Sequence, residues 1–359
     1  MRKYSIGFMM LMVLAGCHSN ENSDVSDGTK TEQAEEVMVH PITQHNDQLP
    51  EVIGWYDKQS LFYLLSEEDS FNVYIHNLYT GEERLFYSAE QSFYRIDASQ
   101  NADYFALQFF NEENQIEMHM LDANGETAFE PKLIGDEFSV YWSPYQESEF
   151  MVVAYLPDWN QEVYHGSITD YEIEPIAVES SYFHWNTPDS IAYLEWGQVP
   201  SIEAPLKQFN IRTSTLDDWY GSGLFYANLY RERSLIVNQH DENTDELAYR
   251  FIDSEAAISS ISVPVLNTFS EQWWITSFAF DGENDLFYYL KPHHSGDYVS
   301  YKEGFELLAY DVYHDTHRKL GEMKSQETLT LSADGNWLLT GEQNQQLIHT
   351  LDGQVYSVF

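Results

Sequence analysis

The chain has 359 residues, 43% of them hydrophobic and 16% aromatic, enough to build a large core. It has a single cysteine, which excludes an internal disulfide and a multi-cysteine metal site. Acidic residues outnumber basic ones 59 to 17, and a net charge of −42 repels nucleic acid and anionic lipid headgroups alike.

Arg2 and Lys3 form a short basic head, followed at residues 6–14 by an apolar run too short to span a bilayer as a helix. Leu14, Ala15 and Gly16 then lead into Cys17. This sequence resembles the lipobox of bacterial lipoproteins. The resemblance implies that the leader, 1–16, is cut away and that Cys17 is diacylated as the new N-terminus. Two acyl chains hold a protein stably at a membrane where one does not. The implied location is the cell membrane, lipid-anchored on its extracytoplasmic face. Residues 17–49 read as a polar, acidic tether with too little apolar surface to repay its ordering entropy. A flexible segment of this size spans roughly 30 Å. A short strand is expected at residues 37–40.

From residue 50 to 359 the pattern is all-β. Short apolar-polar alternations are separated by turn residues, and no long 3.6-residue period appears. The first unit reads as four strands: one ending at Trp55, then residues 61–65, 72–78 and 84–87. The same order recurs, with first strands ending near Ala98, Trp142, Trp185, Ala227, Phe280 and Leu331, at intervals of about 43 residues that lengthen to about 50 toward the end. Asn124-Gly125 and Asp352-Gly353 suit the hairpin turns. A sheet of four short strands cannot bury both faces alone, whereas blades stacked around an axis bury one another. The expected fold is therefore a β-propeller. Seven blades are counted, with six and eight as alternatives. Insertions are expected near residues 265–274 and 293–304.

Ser332-Ala333-Asp334-Gly335-Asn336-Trp337-Leu338 and Trp142-Ser143-Pro144 resemble the loose repeat of TolB-type and WD40-type propellers, with Trp185-Asn186-Thr187-Pro188-Asp189 as a degenerate copy. Lipobox, acidic tether and propeller together are similar to the YqgU-like lipoproteins of Gram-positive bacteria. That likeness implies an anchored propeller and implies no reaction.

Candidate chemistry is sparse. Acid pairs such as Asp217-Asp218 and Glu112-Glu113 fall at predicted turns and read as solvated loops. The run from His240 to Glu246 is rich in oxygen ligands, with Asp241 and Asp245 as candidates for a hard cation such as calcium. His314 and His317, three apart around Asp315, are candidates for a transition metal, and His293-His294 is a further pair. No resident cofactor is expected. Trp159, Trp219, Trp273 and Trp274 are candidates for a ligand-stacking surface, with Trp159 and Trp219 in predicted turns beside Asp; Trp196 joins the same group. No nucleophile elbow, phosphate loop or His-Glu-x-x-His motif is present.

Two functions fit this sequence. One is a non-catalytic binding or scaffold propeller for a protein, peptide or glycan. The alternative is an exported propeller enzyme acting on a polysaccharide or cell-wall polymer. A channel mouth where Asp, His and Arg converge would favour the enzyme, and an apolar or acidic mouth would favour binding. The acids are spread along the whole chain, which fits a surface adapted to salty or alkaline surroundings better than a site for one cationic partner.

Overall fold

The structure is a computed structural model that describes residues 38–43, 50–67, 70–157, 160–198, 201–240, 243–254, 256–267 and 273–359. Cys17 and most of the tether lie outside these residues. Seven four-stranded antiparallel sheets follow one another along the chain, each with its strands in sequence order. They form blades 1 (51–89), 2 (92–129), 3 (137–176), 4 (184–223), 5 (225–264), 6 (278–323) and 7 (330–357). Among the described residues there is no α-helix, and no helix long and apolar enough to cross a membrane.

Burial runs in bands from the axis outward. The first strands line the axis. The second strands are buried almost end to end, as in Ser60–Ser66, Glu149–Tyr155 and Trp337–Thr340. They read as continuous apolar runs because a neighbouring blade covers each of their faces. Alternate side chains then serve opposite neighbours. Phe287 and Tyr289 pack with Leu235, Val237 and Phe251 of blade 5, while Tyr288 and Leu290 pack with Leu338 and Ile348 of blade 7. Each such fully buried large side chain contributes about 1.5–3 kcal/mol. The fourth strands, such as Glu172–Ile176, form the solvated rim.

Three tryptophans near the ends of first strands repeat one contact. Trp142 Nε1 donates to the Asp97 carbonyl at 3.3 Å, Trp185 Nε1 to the Tyr141 carbonyl at 3.0 Å, and Trp55 Nε1 to the Thr330 carbonyl at 3.1 Å. In each case the acceptor lies on the first strand of the preceding blade, so the Trp55 bond crosses the seam where blade 7 meets blade 1.

All four strands of blade 7 come from the C-terminal end of the chain, so no strand is exchanged across that seam. The seam is tied by side chains and by the entering segment. Trp337 Nε1 donates to Tyr79 Oη at 2.8 Å, and Asn344 Nδ2 to the Val52 carbonyl at 2.9 Å. No strand forms at residues 38–40. Instead His40 N donates to the Leu78 carbonyl and Ile42 N to the Val358 carbonyl, lacing the first blade to the last. Buried His76 adds a 2.7 Å contact from Nε2 to the His40 carbonyl.

The two expected insertions pair with each other. Leu266–Asn267 lies antiparallel to Trp273–Trp274 and parallel to Gly296–Asp297, an eighth, three-stranded sheet whose Leu266 packs into the core shared by blades 6 and 7.

Candidate functional site at the channel mouth

At the end of the ring where the first strands finish, two hollows meet. The first, about 360 Å³, lies among blades 7, 1 and 2. Trp55, Ile96 and Leu331 form its apolar wall, and Asp57, Asp97 and Asn344 its polar one. The second, about 250 Å³, lies among blades 3, 4 and 5, between Tyr141, Trp142, His184 and Tyr230. Gln100 lines both. The register makes most of this arrangement: each repeat delivers the last residues of its first strand and the turn that follows to the same rim, and Asn344, from the turn between the second and third strands of blade 7, is the exception.

Asp97 is the acid of the first hollow. Its Oδ1 accepts from Arg95 Nη2 at 2.7 Å, while Oδ2 is buried without a hydrogen-bond partner. Burial raises its carboxyl above the usual carboxylate range, and the Arg95 guanidinium opposes that shift in part. In the second hollow His184 presents its ring to the edges of Tyr182 and Tyr226 at 5.1 and 5.8 Å. Its Nε2 is sealed off and unpartnered, and burial pulls the imidazole down to about 4, so the ring is neutral near pH 7. Behind it both amide atoms of buried Asn186 lack partners. Neither hollow has a lysine or arginine in its wall. The arrangement supplies aromatic faces, side-chain amides and acidic acceptors, and nothing that would neutralise an anion.

The residues singled out from the sequence do not gather at this mouth. Cys17, Trp159 and Asp241 lie outside the described residues, as does the Trp273 side chain. Trp219 is not in a turn. It sits with Asp217 and Asp218 on the fourth strand of blade 4, Thr215–Gly223, half-buried and edge-on to Tyr226 at 5.6 Å. The acidic run reads as a turn in sequence because a rim strand needs no apolar alternation. Trp274 belongs to the inserted sheet and stacks on Tyr298 at 4.1 Å. Asp245 is exposed on the loop before the third strand of blade 5. His314 Nδ1 lies 2.8 Å from Asp311 Oδ2 in a turn, whereas His317 is on the following strand with its ring 4.6 Å from that of Tyr310. His293 and His294 approach different acids, Glu322 and Glu303. Among the described residues no group of three or more His, Cys, Asp or Glu is placed to hold a metal ion. The mouth residues Asp97, Gln100 and His184 were missed in the sequence. Their one signal is position, since all three fall at or just beside a first strand in the repeat.

The YqgU-like 6-bladed beta propeller domain family matches residues 77–341. That span contains blades 2 to 6 whole and cuts blades 1 and 7, so the seven sheets of this chain exceed the family's stated count by one. An uncharacterized lipoprotein, YqgU of Bacillus subtilis (strain 168), is 20% identical over 96% of this chain and 94% of its own length. The uncharacterized protein lmo1340 of Listeria monocytogenes EGD-e shares the fold with a TM-score of 0.80 at 17% identity, over 89% of this chain and 97% of that one. An oligogalacturonate lyase in complex with manganese is more distant, with a TM-score of 0.56 and 9% identity over 85% and 88% of the two chains, a likeness of fold alone. The seven-sheet ring, its register and the family match over most of its length lead to one assignment: the chain belongs to the YqgU-like 6-bladed beta propeller family.

Proposed function

We propose that this protein is a lipid-anchored, extracytoplasmic binding propeller, tethered through Cys17, whose channel mouth takes an uncharged or cationic segment of an envelope peptide or glycan. The observation that carries this reading is the composition of the mouth: Trp55, Tyr141 and Trp142 offer flat apolar faces, Gln100 and Asn344 offer amides, and no cation lines either hollow. The lipoprotein relative supports the anchor. A catalytic reading would call for acid, histidine and arginine converging on one point. Here Asp57 and Asp97 line one hollow and His184 the other. A photo-crosslinking side chain at Gln100, compared with one at Glu172 on the rim of blade 3, tests the assignment in intact cells. Discrete adducts at 100 and none at 172 are expected. Equal labelling at both positions, or none at either, refutes it. The Cys17→Ala chain should be shed or left unprocessed, and a normally processed, membrane-retained variant contradicts the anchor.

A further inference from the structure

We propose that the cleft between blades 3 and 4, at the opposite end of the ring from the channel mouth, binds a ligand through an alkylammonium group, with its carbon against Trp196 and its positive charge between Glu179 and Glu195. The cleft encloses about 490 Å³, more than either hollow at the mouth. Trp196 follows the second strand of blade 4, Ser190–Leu194, and is 53% exposed. Among the described residues no aromatic ring or cation stacks on its indole. Leu216, also exposed, extends the apolar wall.

The polar groups of this cleft are unbalanced. Two of its side-chain donors are already engaged: Gln161 Nε2 donates to the Glu179 carbonyl at 2.6 Å, and Ser180 Oγ to the Tyr182 carbonyl at 2.8 Å, whereas Ser181 Oγ and Trp196 Nε1 make no hydrogen bond among the described residues. Lys207 Nζ bonds Asp218 and lies 3.6 Å from Glu195, so one cation is shared by two acids. The carboxylates of Glu179 and Glu195 are left exposed as acceptors. The floor is Tyr193, 6% exposed, whose hydroxyl has no hydrogen-bond partner among the described residues. Burial, then Glu195 and Glu179, hold that hydroxyl above the ordinary tyrosine range, so it stays neutral and free to bond a ligand. Two exposed carboxylates beside an open indole match a ligand that brings positive charge and a small apolar body. An open indole face beside carboxylates is the chemistry that recognises ammonium groups.

Calorimetric titration of the full chain in detergent with choline, with putrescine and with 3,3-dimethylbutanol, the uncharged isostere of choline, tests the site. Saturable binding of choline or putrescine is expected, with affinity weakened about fivefold or more by Trp196→Ala and by Glu195→Gln. Glu172→Gln, an exposed acid on the rim of blade 3, should leave it unchanged. All of these side chains are exposed, so the fold is expected to survive each substitution, checked by circular dichroism. Absence of saturable binding, an unchanged affinity in Trp196→Ala, or equal affinity for dimethylbutanol overturns the proposal.

Discussion

Replacing Gly353 with alanine asks how tightly successive blades are keyed at their rims. Gly353 lies in the turn between the third and fourth strands of blade 7, at φ +74°, and a Cβ there would fall 2.1 Å from the Leu320 carbonyl oxygen of blade 6. The equivalent turn of blade 2 places Gly125, at φ +83°, with a Cβ position 2.2 Å from the Phe86 carbonyl oxygen of blade 1. Arg318 grips the blade 7 turn from the same side, donating to the carbonyls of Thr350 and Leu351. Gly221, at φ +69°, has nothing within 4 Å of its Cβ position and isolates the backbone effect. An L-residue in the left-handed region costs about 1–2 kcal/mol. Driving the turn off a backbone oxygen adds about 1–3 kcal/mol. Gly353→Ala and Gly125→Ala should therefore each lose about 2–5 kcal/mol, against about 1–2 kcal/mol for Gly221→Ala. Unfolding entropy near 2.1 cal/mol/K per residue, over the span from Val39 to Phe359, converts these to Tm decreases of about 3–7 °C and about 2–3 °C. Thermal unfolding followed by far-UV circular dichroism reads the difference. Equal decreases at all three positions would refute the claim that blade-to-blade contact sets the cost.

The remaining predictions concern charge and the axis. Burial depresses the His184 imidazole to about 4, so its contribution to stability is full above the ordinary value of 6.5 and is lost as pH falls from there through 4. The shift corresponds to about 3 kcal/mol. His184→Phe should flatten the decline of Tm over that range, and an unchanged slope contradicts the assignment. Self-repulsion at a net charge of −42 is screened over about 30 Å at 0.01 M salt and about 10 Å at 0.1 M, so Tm should rise between these conditions. A flat response counts against self-repulsion as a cost. Trp142→Phe keeps an aromatic side chain, though a smaller one, and drops the bond to the Asp97 carbonyl, which is worth about 1 kcal/mol. Trp219→Phe, whose indole makes no hydrogen bond among the described residues, is the control, and equal destabilisation of the two dismisses the interblade role of the indole N–H.

The blade register was legible because burial on both faces forces the second strands into unbroken apolar runs. Residues 104–107 and 286–289 stand out in sequence for that reason and lie in Tyr104–Phe110 and Leu286–Pro292. The tryptophans ending first strands were legible as markers of period. Their bonds to the preceding blade were not, because the acceptor is a main-chain oxygen about 45 residues away for Trp142 and 275 for Trp55. The inserted sheet was visible only as two lengthened intervals. Its pairing of Leu266 with Gly296 rests on two-residue strands whose partners are remote in sequence. Trp219 was misplaced because solvent imposes no apolar pattern on a rim strand. The mouth was the least legible part: Asp97 and His184 are unremarkable in sequence, and only ring closure brings the ends of different first strands together.

Each blade is built from one stretch of chain, broken only in blade 6 by the inserted strand Gly296–Asp297, and that has a bearing on how the molecule comes into being. A polypeptide delivered N-terminus first can complete its hairpins in order, since every hydrogen-bonded neighbour within a blade arrives within a few dozen residues. The one step that must wait is docking of blade 7 on blade 1. Until then the outward faces of the first and last sheets remain wet, and the half-built ring is most exposed to aggregation in the interval before its final thirty residues emerge.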